Sequence, residues 1–159
     1  MANMKILLVE DEAPKRTHIE AFLQNLEQKV IISHAMSVTS ALEALETKLP
    51  DLLLLDMSLP TYDIGEREAG GRPQGFGGTE VLRHMVMANL ECPTIVITGY
   101  EAFLRKEGTV DLSQLSSELG HEFPGLLRGV LHYNSTYAEW KVELDKILVE
   151  LEIISGDID

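Results

Sequence analysis

The chain has 159 residues, with 13 basic and 26 acidic side chains, and a formal net charge of −13. That length suits one domain burying roughly 70% of the surface its unfolded chain exposes. The acidity argues against a protein that grips a nucleic-acid backbone, because no positive field is available to replace counterions. The single cysteine, Cys92, excludes an internal disulfide and suits a reducing compartment.

From the N-terminus, Ile6-Leu7-Leu8-Val9 is a short apolar run that ends in Glu10-Asp11-Glu12. It is too short for a signal peptide or a membrane span, so a cytoplasmic protein with no membrane partner is expected. Ile19, Phe22, Leu23 and Leu26 follow with the i, i+3, i+4, i+7 spacing of an amphipathic helix. Val30-Ile31-Ile32 is the next run. Val38, Ala41, Leu42 and Leu45 then repeat the helical stripe, with Ser37 placed to cap it. Leu52-Leu53-Leu54-Leu55 ends in Asp56 and is followed by Met57-Ser58-Leu59-Pro60.

The pattern breaks from Thr61 to Gly78, where six of the chain's 12 glycines (65, 70, 71, 75, 77 and 78) fall in what reads as a long loop. Its glycines lack the Gly-Lys-Ser/Thr ending of a nucleotide-binding loop, so a mobile partner-binding loop or a lid over Asp56 is expected. Val81, Leu82, Met85, Val86 and Leu90 make a third helical stripe. Thr94-Ile95-Val96-Ile97 is the fourth run and leads into Thr98. The stretch 100–125 is a second break, with a short helix predicted near Glu101–Lys106 and a better one near Leu112–Leu119. Gly129-Val130-Leu131 is the fifth run, followed by His132, Tyr133 and Asn134. Trp140, Leu144, Ile147, Leu148 and Leu151 form the last stripe.

Apolar runs without clean alternation suit strands covered on both faces, and their alternation with helices predicts an α/β fold. The expected architecture is a doubly wound, five-stranded parallel sheet with helices on both faces. Ligands of such sheets bind beyond the carboxyl ends of the strands. If the first and third strands are neighbours, Glu10, Asp11 and Asp56 converge there with no lysine or arginine among them. A hard divalent cation such as Mg2+ would offset that repulsion.

Three segments carry a resemblance. Lys5-Ile-Leu-Leu-Val-Glu-Asp-Glu12, Asp51-Leu-Leu-Leu-Leu-Asp-Met-Ser-Leu-Pro60 and Thr94-Ile-Val-Ile-Thr-Gly-Tyr100 resemble the acidic, phosphoacceptor and hydroxyl segments of response-regulator receiver domains. The resemblance implies a flavodoxin-like receiver fold over residues 1–159 with insertions at about 61–78 and 100–125. It implies that Asp56 accepts a phosphoryl group from the phosphohistidine of a histidine kinase or phosphotransfer protein. Glu10, Asp11, Asp56 and the Met57 carbonyl would hold Mg2+, and Thr98 would hydrogen-bond the phosphoryl oxygen. It further implies a downstream protein partner and no enzymatic turnover beyond this self-catalysed chemistry.

Two family features are missing. The lysine that ends the fifth strand falls on Tyr133, or on His132 after a one-residue shift, and the aromatic switch position falls on Val130 or Gly129. Weak phosphorylation of Asp56 is therefore expected, with a protonated His132 as a partial substitute. The alternatives are a phosphorylation-independent pseudo-receiver that acts as an interaction module, and a Mg2+-dependent phosphohydrolase.

Overall fold

The computed structural model describes residues 3–62, 76–99, 102–105 and 108–151. Five strands form the parallel sheet: β1 (Met4–Val9), β2 (Val30–Ala35), β3 (Leu52–Leu55), β4 (Thr94–Thr98) and, after a hairpin described below, β7 (Leu127–His132). Their order is β2-β1-β3-β4-β7. Each expected apolar run lies in one of these strands. The runs on β1, β3 and β4 are buried along almost their whole length, while the edge strands β2 and β7 are partly exposed.

Among the described residues, five helices cover the sheet: α1 (Ala13–Gln24), α2 (Val38–Thr47), α3 (Gly77–Met87), α4 (Leu112–Glu122) and α5 (Glu139–Glu150). Successive strand side chains point to opposite faces, so each strand feeds two cores. Leu7, Val9, Leu53, Leu55 and Val96 pack with residues of α2, α3 and α4. Ile6, Leu8, Leu52, Leu54, Ile95 and Ile97 pack with Ile19 and Leu23 of α1 and Trp140, Leu144 and Leu148 of α5. Each fully buried leucine contributes about 1.5–3 kcal/mol of transfer free energy. This is the physical origin of the unbroken apolar runs. On β7, Gly129 lets α5 approach closely, since a Cβ there would lie 2.7 Å from Ile147 Cδ1.

The second break differs from its sequence reading. No helix forms at 102–105. Instead β5 (Ala102–Arg105) pairs antiparallel with β6 (Gly108–Asp111), Phe103 opposite Val110 and Leu104 opposite Thr109. A helix of six residues gains too few hydrogen bonds to offset its nucleation cost. The ladder satisfies the same backbone groups, and Val110 enters the core shared with α4. The second helix of the break is present as α4. Asp111 caps it by accepting the Gln114 amide at 2.8 Å, while the Gln114 side chain accepts the Asp111 amide at 3.2 Å.

In the first break, α3 begins at Gly77, earlier than its apolar stripe. The expected loop or lid at 61–78 lies mostly outside the described residues. No helix among the described residues is long and apolar enough to cross a membrane.

Candidate metal and phosphoacceptor centre

The sheet register assembles the centre. Val9 of β1 is paired with Leu55 of β3, and Leu55 with Val96 of β4, so the next residues leave the sheet side by side. The Asp56 amide donates to the Val9 carbonyl at 3.0 Å and the Glu10 amide to the Ala35 carbonyl at 3.0 Å. Glu10, Asp11 and Asp56 each bring a carboxylate oxygen to within 4.8 Å of the others, with Glu10 and Asp56 buried and Asp11 half-buried. The predicted convergence of the three acids is therefore present. Thr98, buried, ends β4 beside them, and its carbonyl accepts the Tyr133 amide at 2.8 Å.

The expectation that no cation stands among these acids is corrected by Lys15. It lies on the first turn of α1 and is only 4% exposed. Its Nζ donates to Glu10 Oε1 at 2.7 Å, to Asp56 Oδ1 at 3.1 Å and to the Ile97 carbonyl at 2.7 Å. All three N–H groups of the ammonium are thereby used. The Tyr133 ring lies beside it, with its centroid 5.7 Å from Nζ. The Tyr133 hydroxyl is 2.8 Å from His18 Nδ1, and the His18 and Tyr133 rings both touch Trp140 of α5.

A sequence signal for this lysine existed. Lys15, Ile19 and Leu23 are the three buried residues of α1, at i, i+4 and i+8. Lys15 thus extends the predicted apolar stripe by one turn toward the strand end. A lysine on a buried stripe must find an anionic partner.

The electrostatics show the burden at this strand end. Burial first, then the Asp56 carboxylate, push Glu10 up to about 8 against the opposing pull of Lys15. Burial pulls the Lys15 ammonium down, but the charges and hydrogen bonds of Asp56 and Glu10 outweigh it and hold it above its ordinary value. When all three carboxyls ionise, the Lys15 ammonium offsets only one of their charges, and a divalent cation would offset the other two. An all-oxygen donor set of this charge fits a hard divalent cation such as Mg2+.

The other expected participants are placed as follows. The Met57 carbonyl accepts the Gly78 amide at 2.9 Å, and so is engaged with the start of α3. The Met57 amide donates to Asp56 Oδ1 at 2.9 Å, which fixes the carboxylate. Gly78 and Gly77 permit that approach: a Cβ on Gly78 would lie 2.6 Å from the Asp56 carbonyl oxygen, and one on Gly77 2.5 Å from that of Leu59. At least these two glycines of the Gly-rich run serve close packing against the segment after β3. His132 ends β7 half-buried. Tyr133, the residue after it, is the one whose ring reaches Lys15.

Comparison with known proteins agrees with this geometry. The family model for the response regulator receiver domain matches residues 6–111. Detocs response regulatory protein DtcB of Enterobacter cloacae is 28% identical over 150 residues, covering 93% of this chain and 100% of that one. Sporulation initiation phosphotransferase F of Bacillus subtilis is 30% identical over 121 residues, 76% of this chain and 78% of that one. Among solved structures, response regulator protein TrrA from Thermotoga maritima, in complex with Mg2+-BeF, has a TM-score of 0.60 at 21% identity, covering 91% of this chain and 99% of that one. With the sheet order, the acidic strand ends and the family match in agreement, the chain belongs to the response regulator receiver domains of two-component signalling.

Proposed function

We propose that this protein is an atypical receiver that takes a phosphoryl group on Asp56 and signals by contact with another protein. The observation that carries this reading is the meeting of Glu10, Asp11 and Asp56 within 4.8 Å at the ends of β1 and β3. An Asp56 carboxylate oxygen attacks the donor phosphorus as the P–N bond to the donor imidazole breaks. The imidazole departs with the bonding pair and takes up a proton. Glu10, Asp11 and Asp56 would hold Mg2+, which when bound offsets charge on the transferring oxygens. The Met57 amide and Lys15 orient the nucleophile, and Thr98 would hydrogen-bond a phosphoryl oxygen.

The donor is the phosphohistidine of a kinase or phosphotransfer protein in the cytoplasm. The chain, read as one receiver domain with inserts at about 61–78 and 100–125, is an acceptor and not a turnover enzyme. Incubation with acetyl phosphate and Mg2+ should add one phosphoryl group, read by mass spectrometry, and Asp56→Asn or chelation of the metal should abolish it. Labelling that survives either change overturns the reading. A second reading, a pseudo-receiver that binds its partner without phosphorylation, is favoured by the tyrosine at the family's lysine position. It predicts no label on Asp56 under any of these conditions.

A further inference from the structure

We infer that Lys15 of α1 is the phosphoryl-contacting cation of this receiver, moved from the end of β7 to the first helix, with Tyr133 now walling its pocket. This rests on the reading of Asp56 as phosphoacceptor.

The geometry argues for a ligand role beyond simple charge compensation. A buried ammonium needs acceptors for its N–H groups whatever its role, so the identity of those acceptors is what points to a ligand. Lys15 spans the ends of three strands, with Glu10 just after β1, Asp56 just after β3 and the Ile97 carbonyl on β4. Its Nζ is bonded to the same Asp56 carboxylate that is proposed to carry the phosphoryl group. All three of its donors are occupied, so contact with a phosphoryl oxygen requires exchange of one partner. Glu10 and Asp56 Oδ1 are the exchangeable ones, because a bound cation would draw Glu10, and conversion of Asp56 to an acyl phosphate would remove the carboxylate charge and place phosphoryl oxygens nearby. The Ile97 carbonyl holds the ammonium in place throughout.

The position at the end of β7 explains why the lysine is not found there. The Tyr133 hydroxyl is engaged with His18, and its ring lies 5.7 Å from Lys15 Nζ and 5.4 Å, centroid to centroid, from that of Trp140. His18 follows Lys15 on the same helix and touches Trp140 as well. A change of partners at Lys15 is therefore transmitted into α1 and α5, and the chain's one tryptophan stands where it is felt.

The test uses Lys15→Met and the double variant Lys15→Met/Tyr133→Lys, which returns a lysine to the end of β7. Affinities for Mg2+ alone, and for beryllofluoride at saturating Mg2+, are measured by calorimetry and by Trp140 fluorescence. Lys15→Met should keep or tighten Mg2+ affinity, since an ammonium no longer competes for Glu10 and Asp56, and should weaken beryllofluoride at least tenfold. The double variant should recover to within about threefold of wild type. Unchanged beryllofluoride affinity in Lys15→Met, or a loss that the second lysine fails to restore, overturns the inference. If Lys15→Met does not fold, the Lys15 side-chain methylene signal of the 13C-labelled wild type carries the test. A shift on adding beryllofluoride to the Mg2+-loaded protein supports the role, and no shift overturns it. Failure of the wild type to bind Mg2+ sinks the receiver reading itself, which is a separate outcome.

Discussion

Lys15 and Gly78 show how much single residues decide here. Glu10, Asp11, Asp56 and Thr98 were legible because each stands within two residues of the end of an apolar run, and strand ends are where such folds place ligands. Lys15 was not legible by that rule, since it lies on a helix. Only its place on a buried stripe marked it. The glycines are similar in sequence and opposite in consequence. Alanine at Gly78 would drive a Cβ to 2.6 Å from the Asp56 carbonyl oxygen and 3.0 Å from Met57 Cα, both backbone atoms. Gly78→Ala should therefore cost about 1–3 kcal/mol in urea denaturation, as overpacking against rigid backbone does. Gly120 lies in an exposed stretch of α4 with nothing within 4 Å of a built Cβ. Gly120→Ala should stabilise by roughly 0.5–1 kcal/mol, because alanine loses less conformational entropy in a helix. A reversed order of the two variants would mean that α3 does not approach β3 as described.

At the scale of elements, helical stripes were reliable wherever they ran for two turns or more, since a buried face needs that repeat. The reading went astray at Ala102–Arg105, where four residues cannot display a period and the partner strand lies at Gly108–Asp111. The junction of β6 and α4 rests on Asp111, which ends the ladder and caps the helix at once. Asp111→Ala should lower stability by about 1 kcal/mol, the usual cost of losing a cap. It should also raise amide exchange in the first turn of α4 more than elsewhere. Uniform exchange across the protein would show that the cap does not hold this junction. Asn89 ends α3 in a left-handed conformation, φ 57°, one of the few residues other than glycine suited to it.

For the molecule as a whole, the sheet separates two ends with different chemistry. The acids gather at the carboxyl ends of the strands. Cys92, near the opposite end of β4, is 8% exposed, and burial pushes its thiol up to about 11. At pH 8 its thiolate fraction is on the order of one in a thousand. Native protein should react with a disulfide reagent at least a hundredfold more slowly than protein in denaturant. The native rate should climb with pH up to about 11, whereas the unfolded chain levels off near 9. The sign for stability follows: the folded state keeps a proton that the unfolded state releases, so stability falls as pH rises from about 9 toward 11. Equal rates with and without denaturant would show that the cover over this end of the sheet opens readily.

Sequence alone determined the alternation of strands and helices, the two-sided burial of β1, β3 and β4, and the acids that follow two of those strands. These are local properties, written in periods of two and 3.6 residues and in what stands next to an apolar run. The tertiary structure alone decided which strand ends are neighbours and which cation reaches them. Lys15 and Asp56 are 41 residues apart, and no local period links them. Only the order β2-β1-β3-β4-β7, with α1 in the core it shares with β1 and β3, brings that ammonium to that carboxylate.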